Sequence, residues 1–373
     1  MAIEASLIWH SQNISHCDRL LVADSALLAD GRWARSAEQV RGVEDACVEL
    51  DAAPWLQPAG LALAERPASQ FRLPTQPIPG RYYPRMAFSS LAQSPRDMRP
   101  VHVLAIQGEV LQVEANHPLA ASGAKLTFSE LSQEPTRGVR MVELFDGPGM
   151  QAPALSAGTT YLQPQGLTRK DAAADAEFYA KPRMTHHLDA VCRTEISALY
   201  GRFLKPGQRV LDLMSSWVSH LPASPDTIHV AGLGMNAAEL AANSRLSERV
   251  VQDLNLNAEL PWPAAQFDVA LCAASIEYLL DPAAVISEVR RVLKPGGVFV
   301  ITFSDRWFPA KAIQVWSDLH PFERLGLVLS MLRDAGFSEL HSETRRGLKR
   351  PEDDKYIENR LYSDPLFSAW GVA

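Results

Sequence analysis

Residues 209–222 read RVLDLMSSWVSHLP, a short apolar run that contains Asp212 and then becomes polar. Compact apolar runs of this kind are typical of strands buried on both faces of a parallel sheet. A Pro-Gly pair at 206–207 stops the segment before it. Further strands are predicted from IHVAGL (228–233), RVVQDL (249–254), FDVALCAA (267–274) and GVFVITF (297–303).

Helical segments alternate with these strands. Helices are predicted over 185–203 and over AAELAAN (237–243). A third helix is predicted to begin at Asp281 and Pro282 and to end before KPGG (294–297). Strands that alternate with helices indicate a doubly wound α/β sheet. Ligands of such sheets bind at the carboxyl ends of the strands, so the residues that follow each strand are the first candidates for a site.

Clusters of candidate side chains follow four of the predicted strands, and we expect them to meet at one cleft. In chain order they are Asp212, Ser215, Ser216 and Trp217; Gly234, Met235 and Asn236; Gln252, Asp253 and Leu254; and Ser275. Three more candidates, Tyr179, Arg183 and His187, precede the first strand.

Eight segments resemble, in order and spacing, the motifs of class I S-adenosylmethionine-dependent methyltransferases, and more narrowly the bacterial and plant branch whose first loop reads SSWVSHLP. They are FYAKPRMTHHLD (178–189), RVLDLMSSWVSHLP (209–222), VAGLGMNAAELAAN (230–243), RVVQDLN (249–255), LPWPAAQFDVAL (260–271), SIEYLLDP (275–282), RVLKPGGVFVITFS (291–304) and SDPLFSAWG (363–371). The resemblance covers about the last half of the chain. It implies a mostly parallel, seven-stranded methyltransferase-like sheet and S-adenosyl-L-methionine as the cofactor.

The resemblance also implies roles for the candidate residues. Asp212 is the first-loop acid that holds the amino-acid end of the cofactor through the loop. Asp253 bonds the adenine amino group. Tyr179, Arg183 and His187 lie in a segment that commonly folds over the cofactor, and His187 has the chemistry to accept a proton from an acceptor. Because the sulfonium is already activated, methyl transfer needs mainly alignment of the acceptor with the methyl group.

The first loop departs from the family pattern. Glycines of the family are replaced by Met214, Ser216 and Val218, and the acid that accepts the ribose hydroxyls is replaced by Gly234, with Asn236 as the nearby polar substitute. A second reading therefore stays open, in which a catalytically decayed methyltransferase fold acts as a chaperone-like or scaffold binding protein.

A third reading is a nicotinamide-dependent Rossmann oxidoreductase. The segment GLGMNA (232–237) follows a strand, opens a helix and stands about twenty residues before Asp253, which matches the dinucleotide fingerprint. That fingerprint normally marks the first strand of its domain, whereas here the strand at 209–213 precedes it. The third reading is therefore the weakest of the three.

The N-terminal part has a different pattern. Alternating apolar residues with Gly at the turns predict a small antiparallel sheet over 81–131. This segment resembles the insert-in-flap module of SlyD-like FKBP-type prolyl isomerases, most specifically at NHPLA (116–120), which implies binding of an unfolded peptide or protein partner. Residues 1–75 carry no motif, and the isomerase pocket of that family is not found there.

The length of 373 residues fits two domains. We assign residues 1–146 to a β-rich N-terminal domain, 147–175 to a linker rich in Pro, Gly, Gln, Ala and Asp, and 176–373 to the methyltransferase-like domain. The mixed-charge run KRPEDDK (349–355) is predicted to be a solvated loop, with an ordered lid as the alternative.

Composition limits the partners. A net charge of -7 gives no basic surface for long nucleic acid, so the expected methyl acceptor is a small molecule or a protein. No apolar run is long enough to span a membrane. The four cysteines have no metal-binding spacing and indicate a reducing, cytoplasmic location without a metal site.

Overall fold

The protein forms two compact units, seen in a computed structural model that describes residues 2–23, 33–40, 47–56, 63–120, 122–131, 139–146, 161–162, 164–321 and 323–373. Unit 1 comprises residues 1–161, 318–327 and 343–349, and unit 2 comprises 162–317, 328–342 and 350–373. Two short C-terminal segments thus belong to the same unit as the N-terminal part. Of the proposed linker, residues 147–160 and 163 lie outside the described residues.

Unit 1 is built mainly from strands. They are β1 (Ala2–Ser11), β2 (Ile14–Ala23), β3 (Cys47–Asp51), β4 (Leu63–Pro67), β5 (Arg81–Pro84), β6 (Pro100–Gln107), β7 (Val110–Glu114) and β8 (Lys125–Leu131). Its short helices are α1 (Ala34–Val40), α2 (Ala53–Leu56) and α3 (Glu143–Asp146), with 3-10 turns at Ala68–Gln70 and Arg85–Ala87.

A hairpin of two ten-residue strands, β1 and β2, begins unit 1. Its strands join through Gln12 and Asn13, and Gln12 has a φ of 53°, as a two-residue hairpin turn requires. In this sheet β2, β1, β8 and β3 lie side by side, and β8 is antiparallel to both β1 and β3. The segment 1–75, which carries no motif, therefore supplies three of these four neighbouring strands of unit 1.

The expectation of one small antiparallel sheet over 81–131 is wrong for its last strand. A four-stranded antiparallel sheet does exist, in the order β4, β7, β6, β5. However, β8 pairs with β1, where Leu126 lies opposite Leu7 and Phe128 opposite Ala5. All four of these residues are buried, so the apolar face of β1 fixes the partner of β8.

Unit 2 contains the strands and helices that follow. The strands are β9 (Arg209–Leu213), β10 (His229–Gly234), β11 (Glu248–Val251), β12 (Phe267–Ala273), β13 (Leu293–Phe303), β14 (Ser338–Arg346) and β15 (Leu366–Val372). The helices are α4 (Asp175–Phe178), α5 (Ala190–Gly201), α6 (Ala237–Ala242), α7 (Pro282–Val292), α8 (Gln314–Asp318) and α9 (Glu323–Asp334), with 3-10 turns at Pro164–Leu167 and Ile276–Tyr278. β14 and α9 each contribute residues to both units.

The strands of unit 2 form a mixed sheet in the order β11, β10, β9, β12, β13, β15, β14. The first five of these strands are parallel to their neighbours, and β15 is antiparallel to β13. Because β9 lies between β10 and β12, the carboxyl ends of four parallel strands are brought side by side. This is the arrangement in which an open α/β sheet binds its ligands.

Helix α5 starts later than predicted. It begins at Ala190, five residues after Thr185, because the Asp189 side chain accepts hydrogen bonds from the backbone N–H groups of Val191 and Cys192 and so forms the N-cap. His186 and His187 therefore lie outside the helix. No helix among the described ranges of the chain combines the length and apolar character that crossing a membrane demands.

Candidate functional site

The residues that follow β9, β10, β11 and β12 line one cavity of unit 2. The centres of water-sized molecules can occupy about 240 Å³ of it, against roughly 10–15 Å³ for a single water. All the candidates from the sequence contribute to its wall, namely Tyr179, Arg183, His187, Asp212, Ser215, Ser216, Trp217, Gly234, Met235, Asn236, Gln252, Asp253, Leu254 and Ser275. The cavity therefore has room for a ligand of many heavy atoms.

Asp212 organises the loop after β9. Its Oδ2 accepts hydrogen bonds from the hydroxyls of Ser215, at 2.5 Å, and Ser219, at 2.6 Å. The Asn243 amide donates to the Ser219 hydroxyl at 2.7 Å and to the Ser216 carbonyl at 2.9 Å. These bonds fold the loop around the buried Asp212 carboxylate, so the acid fixes the course of the loop in addition to lining the cavity.

The same loop passes very close to β10. The Ser215 N–H donates to the Leu233 carbonyl at 2.7 Å. A β-carbon on Gly234 would lie only 2.2 Å from the Ser215 carbonyl oxygen. The loop therefore requires glycine at position 234, where the resemblance to methyltransferases implies an acid. Met214, which stands where the resemblance implies glycine, takes the left-handed backbone conformation with a φ of 55°.

The backbone of the loop keeps donors for a ligand. No described residue accepts a hydrogen bond from the backbone N–H groups of Ser216, Trp217 or Val218. The serine hydroxyls, in contrast, all donate within the protein. A ligand with oxygen acceptors is thus offered backbone N–H groups here, as glycine-rich loops offer them elsewhere.

Glu239 was not among the candidates from the sequence, but it lines the cavity. Its Oε2 accepts from the Ser216 hydroxyl at 2.6 Å, and its Oε1 accepts from the Arg183 backbone N–H at 2.7 Å. The carboxylate therefore links the first loop to the segment before α5. Its position could have been recognised from the sequence, because Glu239 is a polar residue in the first turn of the helix that follows β10.

Asn236 is occupied as a helix cap. Its Oδ1 accepts from the N–H groups of Ala238 and Glu239, and its amide donates to the carbonyls of Tyr179 and Ala180. The side chain thus anchors the segment after α4 to the start of α6. This use disfavours the expectation that Asn236 substitutes for the missing ribose acid.

The third cluster follows β11. The Asp253 Oδ1 accepts the N–H of Asn255 at 2.9 Å, which leaves its Oδ2 without a hydrogen bond from any described residue. The Gln252 amide donates to the carbonyls of Asn257 and Glu259 and so shapes the loop. The Leu254 side chain, 6% exposed, forms an apolar part of the wall.

The fourth cluster follows β12. The Ser275 hydroxyl donates to the Ala273 carbonyl at 2.8 Å, and Ala274 has a φ of 47°. Tyr278, which follows in the 3-10 turn, also lines the cavity and accepts the N–H of Phe308 at 2.9 Å. The side chain of Ser275 is therefore used to hold the strand end, and its contribution to the cavity wall is local.

Aromatic rings surround the candidates that precede α5. The Arg183 guanidinium lies 4.3 Å from the Phe178 ring centre and 5.7 Å from those of Tyr179 and Phe308. The His187 ring packs edge-on against Phe308, with 5.2 Å between centres. Trp307 and Arg306 also belong to this wall. The wall is therefore aromatic and positively charged, whereas the strand ends contribute carboxylates.

His187 is available for chemistry. No described residue hydrogen-bonds to its ring, although the ring lines the cavity. Partial desolvation in the cavity lowers the pKa of His187, although the residue stays exposed to solvent, and the positive charges of Arg183 and Arg306 lower it further. The imidazole is therefore neutral near pH 7 and has a free nitrogen lone pair that can accept a proton.

A buried ion cluster holds the start of unit 2 against the site. Asp175 accepts two hydrogen bonds of 2.8 Å from Arg169 and one of 2.8 Å from the Asn255 amide. Lys311, fully buried, lies 3.4 Å from Asp175 and 3.0 Å from Asp171. These residues connect segments distant in sequence, and local patterns give no sign of such pairs.

The pH dependence of stability tests the burial of Asp212. Burial raises the pKa of Asp212 from the ordinary 3.8 to about 6, although the two serine bonds oppose the rise. A raised pKa means that its contribution to stability is complete below pH 3.8 and is lost as pH rises through 6. We therefore expect the wild type to lose roughly 2 kcal/mol relative to Asp212→Asn between pH 4 and 7.

Urea denaturation of both proteins across this pH range measures the difference. Asp226→Asn, at an exposed position, is the control for the removal of one charge. A constant difference between wild type and Asp212→Asn would show that the carboxylate is not buried in the way described.

Part of the region that surrounds this cavity is similar in sequence to proteins of known class. Residues 216–301 match a family described as a methyltransferase domain. A probable S-adenosylmethionine-dependent methyltransferase of Mycolicibacterium smegmatis is 36% identical over 115 residues, which cover 29% of this chain and 43% of that protein. A ubiquinone/menaquinone biosynthesis C-methyltransferase of Burkholderia cenocepacia is 33% identical over 131 residues, 33% of this chain and 53% of that protein.

The chain spans about half the length of these curated relatives. Among solved structures, an S-adenosylmethionine-dependent methyltransferase of Mesorhizobium loti shares 21% identity, with 48% of this chain and 97% of that chain covered and a TM-score of 0.33. A corresponding enzyme of Aquifex aeolicus shares 16% identity over 57% of this chain and 98% of that chain, with a TM-score of 0.33. The family match and the curated relatives together imply S-adenosyl-L-methionine as the cofactor of a methyltransferase domain in unit 2.

Proposed function

We propose that the protein is an enzyme that transfers the methyl group of S-adenosyl-L-methionine to a small-molecule or protein acceptor, and that unit 2 is a doubly wound, seven-stranded methyltransferase-like domain. The observation that carries this proposal is the convergence of the four strand-end clusters on one cavity. The match of residues 216–301 to a methyltransferase domain supports it independently.

The residues of the cavity suit the proposed cofactor. The free Oδ2 of Asp253 offers an acceptor for the adenine amino group, with Leu254 as the neighbouring apolar surface. The free backbone N–H groups after Ser215 suit the carboxylate of the methionine part. Asp212 acts through the loop, whose course it fixes with two hydrogen bonds. The bound sulfonium supplies a methyl group that is already activated for transfer.

On the acceptor side, the chain supplies alignment and one base. The aromatic wall of Tyr179, Trp217 and Phe308 excludes water and orients an acceptor over the strand ends. The neutral His187 can take the proton from an acceptor hydroxyl or amine. Arg183 and Arg306, which lower the pKa of His187, favour an acceptor that becomes more negative as it loses the proton.

Cofactor binding is the direct test. We expect isothermal titration calorimetry to show binding of S-adenosylmethionine and of its demethylated product to the full chain. Asp253→Ala removes the free carboxylate oxygen, and a hydrogen bond to a charged group contributes about 1.5–3 kcal/mol, so affinity should fall at least tenfold. Asp226→Ala, an exposed acid outside the cavity, is the matched control and should bind like the wild type.

The outcomes separate the three readings of the sequence. Absence of binding by the wild type at millimolar ligand would favour the scaffold reading, in which the fold survives without the cofactor. Tight binding of NAD without binding of S-adenosylmethionine would favour the oxidoreductase. Equal affinity of wild type and Asp253→Ala for S-adenosylmethionine would show that Asp253 does not contact the cofactor. It would not contradict the proposed methyl transfer, which an activity assay tests separately.

We further propose that the β-rich N-terminal part binds a peptide or protein partner, in line with the resemblance of 81–131 to the insert-in-flap module. Its four-stranded sheet has β4 and β5 at its edges, and edge strands offer unpaired backbone groups to extended chains. We place the protein in the cytoplasm, because all four cysteines are free thiols.

A further inference from the structure

Unit 1 contains a second cavity, whose lining shares no residue with that of the methyltransferase-like site. The centres of water-sized molecules can occupy about 340 Å³ of it. It is lined by residues of the α1, α2 and α3 segments and of the small sheet, namely Trp33, Pro54, Trp55, Leu56, Arg85, Arg99, Pro100, Ala115, His117, Val142, Phe145 and Asp146. Nothing in the proposed methyl transfer uses this space.

One side of the second cavity is aromatic. The Trp33 ring lies 4.6 Å from the Trp55 ring between centres and 6.1 Å from that of Phe145, to which it is nearly parallel. Leu56 and Val142 extend the apolar surface. Such a wall favours a flat, apolar group of a ligand, because aromatic rings prefer stacked or edge-on partners at these distances.

The other side carries a buried cation with unused donors. Arg85 is 7% exposed, and its Nη2 donates to the Ala115 carbonyl at 3.0 Å. Its Nε is buried and has no acceptor among the described residues. Carboxylates act on Arg85 only through their charge and accept no hydrogen bond from it among the described residues, which is unusual because buried charges are normally paired directly.

A carboxylate with no hydrogen bond faces the same cavity. Asp146 receives no hydrogen bond from any residue that the structure describes, and it forms no ion pair with Arg85. Arg99, which also lines the cavity, is paired with Asp97, to which its Nε and Nη2 donate at 2.8 and 2.5 Å. The cavity thus presents, beside an aromatic wall, one guanidinium and one carboxylate that no described residue pairs through a hydrogen-bonded ion pair.

We propose that the second cavity binds a free α-amino acid with an aromatic or large apolar side chain. The amino-acid carboxylate accepts from Arg85, the ammonium group donates to Asp146, and the side chain packs against Trp33 and Trp55. Guanidinium and carboxylate groups pair through parallel hydrogen bonds, and an ammonium group needs acceptors such as the Asp146 oxygens. A zwitterion is the small ligand that satisfies both unpaired charges at once.

The test compares four probes that differ in their charged groups. We expect L-phenylalanine to bind the full chain in calorimetry. Probes that lack the ammonium (3-phenylpropanoate), the carboxylate (2-phenylethylamine), or both charges (N-acetylphenylalanine amide) should bind at least tenfold more weakly. Absence of phenylalanine binding at millimolar concentration would overturn the proposal. Equal binding of 3-phenylpropanoate or of the uncharged amide would overturn it as well, the latter in favour of a peptide segment.

Variants assign the two charged contacts. Arg85→Gln and Asp146→Asn should each weaken phenylalanine binding at least tenfold, whereas Arg96→Gln, which removes an exposed arginine outside the cavity, should not. Thermal denaturation shows whether each variant is folded. Because removal of an unpaired buried cation relieves a cost of burial, Arg85→Gln should melt at or above the wild-type temperature. Wild-type affinity in folded Arg85→Gln would contradict the proposal.

The pH dependence of binding gives an additional readout. Burial, and then the charge of Asp97, raise the pKa of Asp146 to about 6, while Arg99, Arg85 and Arg140 oppose the rise. His117, whose pKa burial lowers to about 4, stays neutral above that value. Phenylalanine affinity should therefore fall as pH drops through 6 in the wild type. A pH-independent affinity between pH 5 and 8 would remove Asp146 from the ammonium contact.

Discussion

Replacement of Gly234 by alanine is expected to damage the site and the stability of unit 2 together. The added β-carbon would lie 2.2 Å from the Ser215 carbonyl oxygen, and a backbone atom cannot move aside as a flexible side chain can. The loop that Asp212 organises must shift as a whole, which breaks its hydrogen bonds to Ser215 and Ser219. We expect the free energy of unfolding to fall by about 3 kcal/mol, since overpacking of this kind costs 1–3 kcal/mol or more.

The displaced loop should also lose its hold on the cofactor. We expect the affinity of Gly234→Ala for S-adenosylmethionine to fall at least tenfold, because the backbone N–H groups of the loop no longer face the cavity in the same way. Urea denaturation and calorimetry on the same preparation measure both effects.

Gly232→Ala is the matched control for this prediction. Gly232 lies two residues earlier on β10, and the atoms nearest to its added β-carbon belong to the side chain of Leu246, the first at 2.5 Å. A leucine side chain can change rotamer, and it is not part of the first loop. Gly232→Ala should therefore lose some stability and keep its cofactor affinity. If Gly234→Ala bound the cofactor as well as Gly232→Ala, the close approach of loop and strand would have no role in binding.

The strands of unit 2 could be predicted because their signal is local. FDVALCAA (267–274) corresponds to β12 at Phe267–Ala273, and RVVQDL (249–254) overlaps β11 at Glu248–Val251. A run of apolar residues between polar turns needs no knowledge of its partner to be read as a buried strand. The same rule placed the polar clusters at the strand ends, where the structure brings them together.

Pairing between distant segments could not be predicted in the same way. The alternation of β8 (Lys125–Leu131) indicates a strand, but it fits the neighbouring small sheet as well as it fits β1. Only the apolar face of β1, more than 100 residues away in sequence, decides between these partners. The roles of Glu239 and Asn236 were hidden for a related reason, because the carboxylate and amide act on backbone groups of other segments.

The run KRPEDDK (349–355) is an irregular segment in which Glu352, Asp353 and Lys355 are exposed, as predicted, but it differs from the prediction at Arg350. It was expected to be a solvated loop because of its mixed charges, yet the Arg350 side chain is fully buried. It pairs with Asp364 at 2.5 Å, with Asp354 at 3.0 Å and with Asp189 at 3.6 Å. Charge alone predicts exposure, whereas a cation surrounded by carboxylates can be buried.

Arg350 should therefore be essential to the stability of unit 2. The side chains of Asp189 and Asp364 are also fully buried, and each accepts the backbone N–H of the other. Arg350→Met leaves two buried carboxylates without their shared cation, a change that typically costs 3–5 kcal/mol. We expect a loss of about that size in the free energy of unfolding at pH 7.5, measured by urea denaturation.

The loss should shrink in acid. Burial raises the pKa of Asp364 even beside Arg350, and removal of the cation raises it further. A group with a raised pKa stabilises the fold at low pH and loses that effect as pH rises, so Arg350→Met should recover stability as the pH is lowered. Asp364→Asn in the Arg350→Met background should recover part of it at pH 7.5, because it removes one of the two charges.

Arg360→Met is the matched control, because Arg360 approaches the same Asp364 at 3.5 Å while its own side chain remains 43% exposed. Exposed ion pairs contribute about 0–1 kcal/mol, so this variant should stay within that range of the wild type. A similar loss in Arg350→Met and Arg360→Met would mean that solvent reaches the cluster. Asp189 caps α5 two residues after His187, so a large loss confined to Arg350→Met would tie the segment that carries the proposed base to this buried charge cluster.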